Sequence, residues 1–320
     1  MTKAESVEKR RGSYLKAFRS IILLLGIMFF GLYMPGEVSE YVRWGMDLAV
    51  RTVIPSSFTF MIVSDLYVSF GDPEQIGFLR RAFTSLFGLS TKGLGAFISG
   101  NVGGFPIGAK LVSDRYSLGL IKKDEAERLI PLCSNPSCAF MVGGVGLGIY
   151  KDARLGIMLA ISVYASTVIC GILTKPKHSI LILSDDISKQ NYNFVDSVKS
   201  AGMSCISLIS FITLFSVIGG IIKKRVNYAP LSIAISLFLE VTNAVKDLSI
   251  YAKSAPLISL SLSAFALGFG GFSVAMQSAI FASGCGLGMK KYYLLKLLEG
   301  VVCASVFSLL YYINSKCGAA

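Results

Sequence analysis

The sequence is poor in charge and almost without histidine. Only 16% of its 320 residues are Asp, Glu, Lys or Arg, against about 25% in an ordinary soluble domain. Its single histidine, His178, sits in a polar stretch and by itself makes neither a His-based metal site nor a Ser-His relay. No P-loop, HExxH or GxSxG pattern occurs, so ATP-driven chemistry, zinc hydrolysis and hydrolase-type acyl transfer have no motif to rest on. The seven cysteines (Cys133, Cys138, Cys170, Cys205, Cys285, Cys303 and Cys317) form no CxxC pair and lie mostly in apolar segments. They read as small buried hydrophobes rather than as a disulfide framework or a zinc site. No metal, cofactor or enzymatic activity is expected.

What is present is apolar sequence. Hydrophobic residues make up 53% of the chain, and the mean hydropathy is +0.64. A helix needs about 20 apolar residues to cross the hydrocarbon core. Runs at 15–34, 46–69, 129–150, 155–173, 203–222, 229–250 and 292–313 meet that requirement. The first follows a basic tail (Lys3, Lys9, Arg10, Arg11), and Tyr33-Met34-Pro35-Gly36 after it is a poor cleavage site, so it reads as an uncleaved anchor. The expected fold is all-α: a polytopic transmembrane helical bundle forming a single domain over 1–320, with a first repeat at 46–173, a polar linker at 174–200 and a second repeat at 203–314.

The net charge of +12 is distributed as topology, not as a nucleic-acid face. With a cytoplasmic N-terminus, 23 of the 31 Lys and Arg residues fall on the cytoplasmic side and seven outside, as the positive-inside rule requires. The external Lys223-Lys224-Arg225 cluster is the exception. The expected location is a cell membrane, multi-pass. The expected partners are a small-molecule substrate and membrane lipid, with no nucleic acid; association into a homo-oligomer is left open.

Two apolar stretches, 94–112 and 256–285, are rich in glycine and interrupted. Broken backbone at membrane depth is tolerated only where protein or a wet cavity satisfies the freed groups, so both read as re-entrant hairpins or discontinuous helices. Gly103-Gly104-Phe105 superposes on Gly270-Gly271-Phe272, Pro106 on Ser273 and Lys110 on Gln277. Carriers are often built from such repeats, with substrate held where half-helices meet; the plainer alternative is that small residues let helices pack closely. A third break is Cys133-Ser134-Asn135-Pro136-Ser137, where Pro136 removes a helical hydrogen bond and Asn135 offers a donor and an acceptor. Glu240 lies within an apolar run, with Asn243 on the same helical face. An ionisable group at that depth marks an ion pathway or a paired charge, so Glu240 and Asn243 are read as a proton or cation coupling site, with a structural ion pair as the alternative. Three roles are open to Lys110: complementing an anionic substrate, pairing with Glu240, or snorkelling to the interface. The expected substrate-binding residues are Asn101, Gly103, Gly104, Pro106 and Lys110 from the first stretch, Ser134, Asn135 and Pro136 from the third, and Gly270, Gly271, Ser273 and Gln277 from the second.

These motifs carry a resemblance. Gly103-Gly-Phe-Pro-Ile-Gly-Ala-Lys110, Glu125-Ala-Glu-Arg-Leu129, Cys133-Ser-Asn-Pro136, Leu239-Glu-Val-Thr-Asn243 and Gly268-Phe-Gly-Gly-Phe-Ser273 resemble the YlbJ/SpoVV family of sporulation integral membrane proteins, which carries the nucleoside-recognition, or Gate, domain. The resemblance runs from about Arg51 to Tyr312. It implies a core similar to the concentrative nucleoside transporters, and a role in moving dipicolinic acid across the outer forespore membrane. The alternatives that remain are a nucleoside or nucleobase transporter and a non-transporting membrane factor of spore maturation. Two positions depart from the family pattern: Val274-Ala-Met-Gln277 stands where a polar His-Ala-Gln-like stretch is expected, and Ser137 where glycine is expected.

Overall fold

The computed structural model describes Phe29 and residues 31–70, 76–176 and 193–317. Most of the expected first span (15–34), His178 and most of the 174–200 linker lie outside the described residues. Within them, five helical stretches are long and apolar enough to cross a membrane: Pro35–Leu66, Ala153–Leu173, Phe194–Lys223, Pro256–Gly284 and Lys290–Lys316. The chain is an integral membrane protein built from helices.

Helix α1 (Pro35–Leu48) passes through a π-helical turn at Ala49–Val53 directly into α2 (Ile54–Phe70). Proline within a helix forfeits one backbone bond and crowds the carbonyl four residues earlier. The widened turn sits just before Pro55, and the Ser56 hydroxyl donates to the Thr52 and Val53 carbonyls at 3.0 and 2.9 Å. Asp47 and Arg51, four residues apart, pair across this turn.

Amphipathic α3 (Gly77–Phe87) buries Phe83 and Phe87 and leaves Phe78 exposed. Next comes a folded-back pair, α4 (Leu94–Gly103) and α5 (Ile107–Ser117). Their arms have 10 and 11 residues, about 15 Å each. After α6 (Lys123–Cys133) the backbone is irregular at 134–137 and then winds as a π-helix over Phe140–Tyr150. Helix α7 (Ala153–Leu173) follows, its N-terminus capped by Asp152.

The rest of the chain repeats that order: long α8 (Phe194–Lys223); a short pair, α9 (Ala229–Leu239) and α10 (Val241–Ser249); a broken stretch, α11 (Pro256–Phe269) and α12 (Gly271–Gly284); and long α13 (Lys290–Cys317). Glu240 alone separates α9 from α10, in extended conformation (φ −153°, ψ 123°). The Ser236 hydroxyl reaches the Asp247 carboxylate at 2.5 Å; those residues would stand about 16 Å apart on one straight helix. So α9 and α10 fold back on each other.

This corrects one expectation and narrows another. The apolar run 229–250 is not one spanning helix, because the Glu240 carboxylate starts a new helix in its middle. The stretch 256–285 is broken at Gly270 as expected, but its two arms together make a 29-residue apolar run. By position in the element order, the 104–106 turn therefore answers to Glu240, and the 134–137 break answers to Gly270-Gly271. The Gly-Gly-Phe likeness between 103–105 and 270–272 reflects a shared local demand for glycine at two different kinds of break.

Arg128 ties one end of the bundle together. Its side chain is buried and donates to the Phe87 carbonyl (2.6 Å) and the Gly171 carbonyl (2.6 Å), which close α3 and the last turn of α7. A guanidinium suits such carbonyls because it meets the negative ends of two helix dipoles. Arg128→Met should lower unfolding stability by about 3 kcal/mol, the loss of two charge-assisted bonds, read as a fall in thermal midpoint of the detergent-solubilised protein, with Arg128→Lys intermediate.

Candidate functional site

In each half, the turn of the folded-back pair rests on the break of the helix that follows. In the first half the contact is backbone to backbone. A Cβ added at Gly108 would lie 2.1 Å from the Cys133 carbonyl oxygen, and one at Gly100 would lie 2.7 Å from the Gly108 Cα. Only glycine allows α4, α5 and the end of α6 to converge this closely. The Phe105 N–H then donates to the Asn135 carbonyl at 3.0 Å, across the break.

Asn135 is the hub of a buried polar network. Its side-chain amide donates to Asn101 Oδ1 (2.9 Å) and Thr167 Oγ1 (2.9 Å). Its Oδ1 accepts from the ammonium of Lys296 at 2.7 Å. Lys296 pairs with Glu299 at 2.8 Å, both with 0% side-chain exposure, and Thr167 donates to the other Glu299 oxygen at 2.5 Å. The Asn101 amide also satisfies the Phe97 and Leu132 carbonyls. The expected residues Asn101, Ser134 and Asn135 are thus brought together, but with partners from α7 and α13 that were not expected. In sequence Lys296 follows closely on the basic pair Lys290-Lys291. The available signal was Lys296-Leu-Leu-Glu299, one i,i+3 ion pair inside an otherwise apolar run.

The second half repeats the contact with a carboxylate. Gly271 faces the Leu239 carbonyl and the Glu240 N–H, with a built Cβ at 3.2 and 3.3 Å. The two Glu240 oxygens accept from the backbone N–H groups of Thr242 (3.0 Å) and Asn243 (2.7 Å). Glu240 is therefore the N-cap of α10, where the helix dipole favours negative charge. It makes no ion pair among the described residues. Asn243 donates to Ser216 Oγ at 2.7 Å and accepts from Trp44 Nε1 at 3.0 Å. Glu240 and Asn243 line a 610 Å³ cavity between α1, α8 and the α9–α10 pair, with Arg43, Lys223, Lys224 and Asp247 also on its wall.

Helix α12 joins the two contacts. Gly271 meets Glu240, and Ser278 Oγ lies 3.2 Å from Ser134 Oγ; seven residues of helix separate the two points, about 10 Å. On the same helix Gln277 is buried, its amide 3.4 Å from Ser273 Oγ and its carbonyl oxygen without a hydrogen-bond partner among the described residues. Gly270 closes α11 in a left-handed conformation at φ +81°. Gly103 abuts Ser64, and Pro106 opens α5. Lys110 lies elsewhere. Its ammonium donates to Ser200 Oγ of α8 at 2.8 Å, so neither pairing with Glu240 nor a place beside Asn135 is what the fold gives it.

One known protein is similar to this chain along most of its length. The chain is 27% identical over 319 residues to the sporulation integral membrane protein YlbJ of Bacillus subtilis (strain 168), across 86% of this chain and 78% of the relative. The chain is YlbJ-like. No family model matches it, and no solved structure does. The YlbJ-like sequence thus brings Asn101 and Asn135 into the Asn135–Lys296–Glu299 network and sets Glu240 and Asn243 on the cavity wall, with Lys110 apart from both.

Proposed function

We propose that this YlbJ-like chain is a secondary transporter of a small organic anion, dipicolinate, working in a spore-forming cell at the outer forespore membrane. The observation that carries the reading is the twice-repeated contact of a folded-back helix pair with a broken helix. Two such contacts joined by one helix form the kind of locus where carriers hold substrate. The arms of each pair, near 15 Å, are half the hydrocarbon thickness of about 30 Å, so each pair enters and leaves the membrane on one side. Three crossings then separate equivalent points of the halves, which makes the repeat inverted, as in the concentrative nucleoside transporters that the sequence motifs resemble. Lys246 and Lys253 move to the external side with Lys223-Lys224-Arg225.

The substrate site runs from Asn101, Gly103, Gly104, Pro106, Ser134, Asn135 and Pro136 to Gly270, Gly271, Ser273 and Gln277. Lys296 takes the cationic role first given to Lys110. A flat dianion needs one fixed cation and several N–H donors in place of water. Gln277 and Asn135 supply side-chain amides, and the opened backbone at 134–137 and 270–271 supplies the rest. The cavity over Glu240 is the vestibule.

The test is binding and uptake by the purified chain in proteoliposomes. Dipicolinate should bind and be taken up, and Asn135→Ala should abolish both while the protein still inserts. Binding of uridine or adenosine in its place would establish the nucleoside reading, and no binding of either class would leave a non-transporting membrane role.

A further inference from the structure

We propose that Glu299 takes up one proton when a substrate carboxylate displaces it from Lys296, so that anion and proton cross the membrane together. The inference rests on the transporter reading and on the cationic role given there to Lys296. The Lys296 ammonium is held by Glu299 Oε2 at 2.8 Å and by Asn135 Oδ1 at 2.7 Å. Neither charged side chain has any exposed surface. A substrate carboxylate that reaches this ammonium therefore competes with Glu299 for it. The displaced Glu299 is then a buried anion with no cation among the described residues, a costly state inside a membrane protein. Uptake of a proton removes that cost.

The site already holds the bonds that the neutral acid needs. Thr167 Oγ1 lies 2.5 Å from Glu299 Oε1, and the Thr167 hydroxyl has a second acceptor, the Val163 carbonyl, at 2.9 Å. Its single proton serves one of these at a time. While Glu299 is ionised, Thr167 donates to it. Once Glu299 is protonated, its carboxyl O–H donates to Thr167 Oγ1 and the threonine hydroxyl turns to Val163; no heavy atom of either side chain has to move for that exchange. The step balances. One proton enters from the aqueous side that supplies the substrate and forms the Glu299 O–H bond. Lys296 keeps its charge, and its N–H hydrogen bond to Glu299 Oε2 is exchanged for one to the substrate. The Glu240 oxygens, by contrast, face backbone N–H groups, which cannot accept the hydrogen bond of a protonated carboxyl.

A second observation points to the incoming carboxylate. Tyr292 stands one turn before Lys296 on the same face of α13 and is 2% exposed. Ser134 and Ser278 neighbour its hydroxyl, yet that hydroxyl makes no hydrogen bond to a described residue. A buried donor without an acceptor, one turn from an ammonium, suits the second oxygen of a carboxylate held by Lys296. The other titratable groups around Glu299 are Cys133 of α6, Cys170 of α7 and Cys303 of α13. Tyr164 of α7 is turned to the Asn101 carbonyl. At the start of α6, Asp124 and Glu127 pair with Lys291, Glu125 with Ser90, and Arg128 with backbone carbonyls. Helix α11 carries no ionisable residue.

The experiment measures proton uptake on binding. The full purified chain is mixed with dipicolinate in weakly buffered detergent solution above about pH 6, where the ligand's carboxylates are ionised. The wild type should take up about one proton per dipicolinate bound, and its affinity should rise about tenfold for each unit fall in pH. Its infrared difference spectrum should gain the C=O stretch of a protonated carboxyl. In Glu299→Gln the bound dianion should bring no proton, the affinity should not follow pH, and the infrared band should be missing. Dipicolinate should also raise the thermal midpoint of Glu299→Gln by more than that of wild type, because it supplies the anion missing beside Lys296. Dipicolinate binding to the wild type without proton uptake and without that band overturns the proposal, with no variant required. Proton uptake that persists in Glu299→Gln overturns it as well. A wild-type chain that binds no dipicolinate overturns the transporter reading itself, and the coupled proton with it.

Discussion

Lys296→Met is expected to cost the folded chain about 3–5 kcal/mol, because it leaves the buried Glu299 carboxylate without its cation. Glu299 keeps the Thr167 hydroxyl but no cation among the described residues, and Asn135 Oδ1 loses the Lys296 donor. Breaking one partner of a buried pair is far more damaging than removing both, since two apolar side chains of similar volume require no desolvated charge. The double variant Lys296→Met/Glu299→Leu should therefore recover most of the lost stability. It should not recover dipicolinate binding, which needs the ammonium. Thermal unfolding of wild type, both single variants and the double variant in detergent completes the cycle. Additive losses would show that Lys296 and Glu299 contribute independently and not as a pair, and restored binding in the double variant would remove Lys296 from the substrate site.

Gly108→Ala is the second large effect. Its new methyl group would sit 2.1 Å from the Cys133 carbonyl oxygen, with the Cys133 Cβ at 2.6 Å. No side chain can swing aside from a backbone carbonyl, so α5 must lift from α6 and the Phe105–Asn135 bond must go with it. Overpacking of this kind costs up to about 3 kcal/mol, and here it also undoes the contact that shapes the site. The expected result is a chain that inserts poorly or unfolds early, with dipicolinate binding lost. Gly284→Ala, at the end of α12 with nothing within 4 Å of the added methyl, should be neutral to slightly stabilising, since Ala is the better helix former.

The breaks at 103–106, 134–137 and 270–271 were legible in the sequence because Gly-Gly and Asn-Pro interrupt helices for local reasons. Membrane insertion was legible from hydropathy. The α9–α10 turn was not. Hydropathy runs on either side of Glu240 without a pause, and a carboxylate at depth reads equally as a coupling group, an ion-pair partner or a cap. Only the fold shows both oxygens turned onto the Thr242 and Asn243 amides of its own chain. Lys296 escaped for another reason. A lysine a turn and a half into a helix from a basic loop reads as a snorkelling residue, and its partner Asn135 is 161 positions away. Lys110 finds Ser200 at a separation of 90. Local sequence signals where a helix fails; which distant side chain fills the gap is decided by packing.

On the proposed reading each folded-back pair enters and leaves the membrane by one face, and the two pairs use opposite faces, so the halves are inverted. Single cysteines at Tyr228, Lys253 and Lys290, in a chain cleared of its native cysteines, measure this with a membrane-impermeant thiol reagent. Positions 228 and 253, which flank α9–α10, should label from one side of the membrane, and position 290, beyond α12, from the other. Labelling of 228 and 253 from opposite sides would make 229–250 a crossing segment and contradict the inverted arrangement.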